Sequence, residues 1–261
     1  MSRLQLFEFN DAPWTPAPLR ETVVEFLHHM ALSLDMYGPG FRLVADLVED
    51  IGADRVQLLC AGGGGGAQQL VRELDRDAKL VLSDRFPNPS RYAELAAEDP
   101  RIDYVADPVD VRAVPESMAG VRVIVNAIHH LEPADVRAVI ADAVAKSQAL
   151  VFIEPVQREL LATLRFCAAA PALCVGMSLG GIRPLTARRV ALGALAPVGT
   201  MALVFDGVVS HLRAYTLEEW RAMAAAVDVD GRFDWRFDAL PGALGSKLTV
   251  MVGVPKDGGA Q

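Results

Sequence analysis

Arg55-Val-Gln-Leu-Leu-Cys-Ala-Gly-Gly-Gly-Gly-Gly-Ala67 is an apolar run that empties into five consecutive glycines, Gly62 to Gly66. Helical spacing follows at once in Ala67-Gln-Gln-Leu-Val-Arg-Glu-Leu74. A buried strand, a glycine turn and a helix form the opening unit of an α/β nucleotide-binding fold. Glycine lets the backbone turn sharply and lets a ligand lie against main-chain N–H groups with no Cβ in the way. Further on, a second apolar strand, Lys79-Leu-Val-Leu-Ser83, ends in Asp84. An acid at the tip of a second strand is where such folds hold the hydroxyls of a ribose. The two features in register predict a nucleoside-containing cofactor.

Outward from this junction, strand and helix alternate. Apolar runs at 55–60, 79–83, 102–105, 121–127 and 149–154 read as strands, with helices at 67–75, 89–98, 133–146 and 216–226. Pro133 and Asp135 mark a helix first turn, and Thr216-Leu-Glu-Glu219 a capping box. Alternation with near-continuous apolar strands predicts a parallel sheet covered on both faces. Arg232–Phe237 and Leu248–Val254 have no helix between them and read as an antiparallel hairpin at the sheet edge. Ahead of the sheet, Leu19 to Leu34 and Phe41 to Ile51 carry helical spacing on either side of the breaker Tyr37-Gly-Pro-Gly40.

A chain of 261 residues can bury one large α/β core with an appended subdomain. A formal charge of −8 and a pI of about 5.1 argue against a nucleic-acid partner. Cys60, Cys167 and Cys174 form no CxxC and no His/Cys cluster, so reduced thiols in a cytoplasmic protein are expected, with no metal site. Acids early in Met1 to Asn10 and the lack of an apolar core there do not fit a signal peptide.

Mean hydropathy is +0.25, and the excess is concentrated in two runs, Phe166–Ile182 and Val190–Phe205. Each is about the roughly 17–20 residues that span a bilayer. Both carry Pro and several Gly. Two accounts compete: a helical lid or homodimer surface over an apolar substrate, and a membrane-surface hairpin through 166–205, aided by Arg183, Arg188 and Arg189. The expected organisation is an N-terminal cap over 1–40, a cofactor domain over 41–156 and 211–255, and an apolar insertion over 157–210.

The glycine turn, Asp84, the pair Asp107/Asp110 after the third strand and the closing antiparallel hairpin together resemble a class I S-adenosylmethionine-dependent methyltransferase. The likeness extends to Leu59–Gly66, Leu82-Ser-Asp-Arg-Phe-Pro-Asn88, Pro108-Val-Asp110, Asn126-Ala-Ile-His-His-Leu131 and Phe205 to Tyr215, similar to a largely uncharacterised bacterial branch that also shares a Pro-Trp opening like Phe9-Asn-Asp-Ala-Pro-Trp14. It covers residues 7 to 255. It implies a Rossmann-like, mostly parallel seven-stranded sheet with an antiparallel last strand, and S-adenosylmethionine as cofactor. By the same resemblance, Cys60, Ala61, Gly62, Gly63 and Gly64 cradle its amino-acid portion. Asp84 with Arg85 holds the ribose, Asp110 with Val111 the adenine, and Asn126 to His130 lie where the methyl group meets its acceptor. The family usually has an acid two residues before its first glycine position. Here that place holds Leu58, and Cys60 takes the glycine position itself.

Of these, Asp84 has a second reading as a helix N-cap, and Asp110 as a turn residue bonding its own backbone. His129 and His130 are the candidate general bases, since an ordinary imidazole titrates at about 6.5. In a strand they would face opposite ways unless the strand has ended. Glu154 reads as a second polar group in the cleft. His211, Arg213 and Tyr215 read as one face of an extended segment able to bind an acceptor, beside Asp206; a solvated edge is the alternative. Trp14, with Phe7 and Phe9, would cover an apolar cleft entrance. The expected activity is methylation of oxygen or carbon on a hydrophobic small molecule. The alternative is a methyltransferase-like fold with a degenerate glycine motif that directs a cyclisation or isomerisation, or only binds a partner.

Overall fold

In a computed structural model, which describes residues 2–146 and 148–256, the chain divides into two compact units. One joins Met1–Met36 to Val156–Tyr215; the other joins Tyr37–Pro155 to Thr216–Gln261.

The second unit holds a seven-stranded sheet. Its strands are β1 (Arg55–Leu59), β2 (Lys79–Leu82), β3 (Ile102–Tyr104), β4 (Val121–Val125), β5 (Leu150–Glu154), β6 (Phe233–Pro241) and β7 (Lys247–Pro255). Their spatial order is β3-β2-β1-β4-β5-β7-β6. The first five are parallel; β7 runs antiparallel to both β5 and β6. In β4 and β5 nearly every side chain is buried, as a sheet covered on both faces requires. The order reverses between β1 and β4, so the crevice outside their carboxyl ends is the expected ligand position.

The helices of this unit follow from local signals. Pro133 opens α5 (Pro133–Ala145), and the Thr216/Glu219 capping box opens α9 (Leu217–Val227), as the spacing predicts. Asn88 caps α4 (Pro89–Glu98) by accepting from Arg91 N–H. Asp84 is therefore not an N-cap. The break between the two N-terminal helices lies at 34–37, slightly ahead of Tyr37 to Gly40: α2 (Gly38–Asp50) begins at Gly38, with its proline in the first turn, where the missing N–H costs nothing. The helix after β1, α3 (Ala67–Glu73), is preceded by Gly66 in the left-handed region at φ +84°.

One glycine outside the motif is equally constrained. Gly120, just before β4, has φ +126°, and a Cβ there would lie 2.5 Å from the carbonyl oxygen of Arg55. Both parts are backbone and cannot give way. Gly120→Ala is expected to destabilise the protein by about 3 kcal/mol. Urea unfolding measures this, and a loss under 1 kcal/mol would contradict the packing.

The first unit is helical: α1 (Ala17–Ser33), α6 (Leu160–Gly176), α7 (Ala187–Val190) and α8 (Val198–Arg213). Its core is Val23, Phe26, Met30, Ala170, Cys174, Ile182, Ala202 and Leu203. The two apolar runs behave differently. The first continues as Leu160–Gly181, 22 residues containing an 18-residue stretch of mean hydropathy 1.7, long and apolar enough to cross a membrane by length and composition. The second is bent by 66° at the break before Val198. Arg189 is buried, donating to Ile182 O and Pro184 O and pairing with Glu25 at 2.5 Å, and Arg188 pairs with Glu21 and Glu25. Those two guanidiniums are engaged inside the unit rather than turned to headgroups.

The segment around His211 also differs from expectation. It is the last turn of α8, not an extended segment; only Tyr215 lies beyond it. Valines 208 and 209 suggest a strand, yet the buried positions Ala202, Leu203, Asp206 and Val209 recur at helical spacing, and packing decides. On a helix His211 and Arg213 lie about 200° apart, so they share no face.

Candidate functional site

At the carboxyl end of β1 the chain turns through Cys60 at φ +54°, Gly62 at +53° and Gly64 at +75°. Gly64 is required by space as well as angle: a Cβ would stand 2.4 Å from Leu95 Cδ1. Gly62 and Gly63 are the opposite case, since a Cβ on either would meet nothing within 4 Å. Their backbone faces open room. Gly62 N–H donates to Asp84 Oδ2 at 2.8 Å, Phe86 N–H donates to Asp84 Oδ1 at 2.7 Å, and Tyr92 Oη donates to Gly62 O at 2.8 Å. One carboxylate thus ties the tip of β2 to the glycine turn. Each of its oxygens retains a lone pair.

Burial pushes the Cys60 thiol up to about 12, and the nearby charges of Asp84 and Asp110 push the same way. The thiol stays protonated, and the loops after β1, β2 and β3 converge on it. Asp110 lies at the third loop, where Arg112 grips it through Nε at 2.9 Å and Nη2 at 2.6 Å. Those hydrogen bonds hold its carboxyl down at about 2. Arg112 also reaches Asp135 at 2.8 Å. Asp110 bonds its own turn through Arg112 N–H at 3.0 Å, which agrees with the turn-residue reading.

β4 ends at Val125, and Asn126 takes φ +52°. Residues Ile128–His130 then form a single 3-10 turn. The strand has ended, so the two histidines need not oppose each other; their ring centroids lie 4.2 Å apart. His129 Nδ1 is 2.8 Å from Glu154 Oε2. The other oxygen, Oε1, accepts from Ile128 N–H at 2.7 Å and His129 N–H at 3.4 Å. Both side chains are buried, at 2% and 3% exposure. Glu154, expected to meet an acceptor, has both oxygens turned to the histidine turn. An ionised carboxylate can only accept, so it selects the tautomer with the proton on Nδ1 and leaves Nε2 as the basic nitrogen.

The remaining expected acceptor residues belong to the helical unit. Phe7, Phe9, Trp14 and Phe205 cluster with ring centroids 5.2–5.8 Å apart, and Trp14 is 64% exposed. Asp206 accepts from Phe9 N–H at 2.7 Å and Asn10 N–H at 2.9 Å. His211 Nδ1 lies 2.7 Å from Gln157 O. Arg213 pairs with Glu8 at 3.0 Å and donates to Leu6 O, while Tyr215 lies beneath the Arg3 guanidinium. Asp206 and Arg213 thus fasten the N-terminal segment to α8.

Burial raises Asp206 to about 6, Glu8 and Asp11 adding to it against the two N–H bonds. Its unfolded value is about 3.9, so the folded state holds the extra proton between these values. Its contribution is full below pH 4 and is lost as pH rises through 6, by about 2–3 kcal/mol. Urea unfolding at pH 4 and pH 7 should show Asp206→Asn gaining that much on the native protein. Parallel pH curves would contradict it.

Tyr92, Arg112 and the pairing of Glu154 with His129 are absent from the sequence reading. Nothing in the sequence marks Tyr92 or Arg112. The third was accessible: adjacent parallel strands bring their carboxyl ends together.

No protein-family model and no curated protein matches the chain. Solved structures do. The plantazolicin methyltransferase BpumL, in complex with SAH, aligns over 95% of this chain and 93% of its own with a TM-score of 0.58 at 7% identity. An O-methyltransferase of neocarzinostatin biosynthesis, NcsB1, in complex with S-adenosylmethionine and 2-hydroxy-5-methyl naphthoic acid, aligns over 92% and 58%, TM-score 0.53, at 14% identity. A proposed O-methyltransferase of Nostoc punctiforme aligns over 97% and 64%, TM-score 0.50, at 15% identity. The chain thus spans about three fifths of the last two proteins. It has the class I methyltransferase fold.

Proposed function

We propose that the protein is an S-adenosylmethionine-dependent methyltransferase whose acceptor is a hydrophobic small molecule, methylated on oxygen or carbon. The observation that carries this is the set of groups at the β1/β4 reversal: open Gly62–Gly63 backbone, Asp84 with two lone pairs to spare, and a carboxylate-oriented histidine on the adjacent turn. The open side of Gly62 and Gly63 is room that a Cβ would reduce, as a cradle for the cofactor's amino-acid portion needs. Asp84 would accept from the two ribose hydroxyls, and Asp110 and Val111 would flank the adenine.

When bound, the cofactor supplies an electrophilic methyl group on a sulfonium. The chain's own work is positional and protolytic. Glu154 holds the Nδ1 proton of His129 and stabilises the imidazolium that forms when Nε2 takes a proton from the acceptor. His130, packed against that ring, limits its rotation. In the helical unit, the exposed rings of Phe7, Trp14 and Phe205 offer a surface suited to an apolar molecule. NcsB1 acts within natural-product biosynthesis and was crystallised with a hydroxylated naphthoic acid, which suggests phenols as first probes.

Calorimetric titration with S-adenosylmethionine, followed by detection of S-adenosylhomocysteine with hydroxynaphthoic acids, tests the reading. No heat at millimolar cofactor would remove it. A second reading rests on Leu58, which is buried in β1 between Leu82 and Val123 and offers the methionine-binding loop no carboxylate. It predicts binding with no methyl transfer to any acceptor.

A further inference from the structure

Arg122 is out of place in its strand. Its neighbours Val121, Val123 and Ile124 are buried aliphatics, yet a guanidinium only 1% exposed occupies the second position of β4. Nη1 donates to Asp142 Oδ2 at 2.8 Å, and Nε, also buried, has no partner. Asp142 has other partners: its Oδ2 also accepts from Val114 N–H at 3.2 Å, and its Oδ1 accepts from Lys146 Nζ at 2.5 Å. Two cations therefore share one carboxylate. Arg122 and Lys146 both line a cavity of about 280 Å³, with Met118, Ala145, Gln148 and, on its exposed rim, Glu116. Glu116 pairs with neither cation among the described residues.

The cavity opens at the amino-terminal ends of β4 and β5, the opposite end of the strands from the glycine turn. A positive charge in excess of its internal partner, held mostly out of water, favours a bound anion. The guanidinium has donors left after Asp142 takes one, and a planar fork suits carboxylate or phosphate oxygens. The volume is below that of drug-sized pockets, which limits the occupant to a small one.

We propose that this cavity binds a small oxyanion, a carboxylate or phosphate group, held by Arg122 and Lys146 at a site separate from the cofactor crevice. The rim carboxylate of Glu116 sets a preference for singly charged or compact anions over extended polyanions.

The test is titration of the protein with sodium phosphate and, separately, sodium acetate, each against sodium chloride of equal ionic strength. Calorimetry and thermal unfolding are read together. Saturable binding by either oxyanion is expected, with a rise in Tm of about 3 °C at ten times half-saturation. Tighter binding of phosphate assigns a phosphorylated occupant; tighter binding of acetate assigns a carboxylate. Lys146→Met, at a helix end, should weaken binding at least tenfold with an unchanged circular dichroism spectrum. Arg122→Lys, which keeps the charge but not the fork, should weaken it too. If that variant fails to fold, Lys146→Met decides alone. A response equalled by chloride overturns the site, as does undiminished affinity in Lys146→Met, which would put the anion elsewhere, for example on the glycine turn.

Discussion

Replacing His129 by glutamine is expected to lower kcat by about 10²–10⁴-fold while leaving cofactor affinity within a factor of about three. Glutamine keeps a hydrogen-bonding group of similar reach toward Glu154 but cannot take up a proton at neutral pH. Glu154→Gln should fall short of that loss, because it removes the orienting charge and leaves the imidazole. Single-turnover formation of S-adenosylhomocysteine with a hydroxynaphthoic acid acceptor measures both. A His129→Gln enzyme with native kcat would show that the acceptor needs no base or that another group supplies it. His130→Gln then becomes the informative variant, since its ring packs against that of His129.

Asp84→Ala should cost the most in cofactor binding. The carboxylate fixes two loop amides, Gly62 N–H and Phe86 N–H, before any ligand arrives. Its removal would disorder the glycine turn and take away the acceptors for the ribose hydroxyls. Charge-assisted bonds of this kind contribute about 1.5–3 kcal/mol each, so for the two ribose hydroxyls a rise of about 10²–10⁴-fold in the Kd for S-adenosylmethionine is expected. Asp84→Asn keeps one acceptor oxygen and should lie between. Calorimetric Kd values within threefold of the native protein would exclude Asp84 from the cofactor site.

Much of the cofactor unit was legible because its signals are local. The apolar runs of β1, β2, β4 and β5 are almost uninterrupted, and Pro133 and Thr216 mark helix starts by their own chemistry. The carboxyl end of β1 was equally readable, since five glycines admit few alternatives. What escaped depends on partners far away in sequence. Asp206 looks like a free carboxylate until the N–H groups of Phe9 and Asn10 fold back onto it. His211 and Arg213 lie in a Val-Val segment whose intrinsic preference is extended, and only burial along α8 makes it helical. Leu58 was visible from the start as a departure, and its burial in β1 agrees with the aliphatic residue found there.

The placement of β7 also bears on synthesis. β5, Leu-Val-Phe-Ile-Glu, receives its outer hydrogen-bonding neighbour only from Lys247–Pro255. While the ribosome works through the intervening stretch, at about 5–20 residues per second, that aliphatic edge waits bare for several seconds or more. An unpaired apolar edge is a template for another chain. Truncations ahead of β7 should therefore accumulate as insoluble nascent product, and slow codons between β5 and β7 should lower soluble yield even where the finished protein is stable.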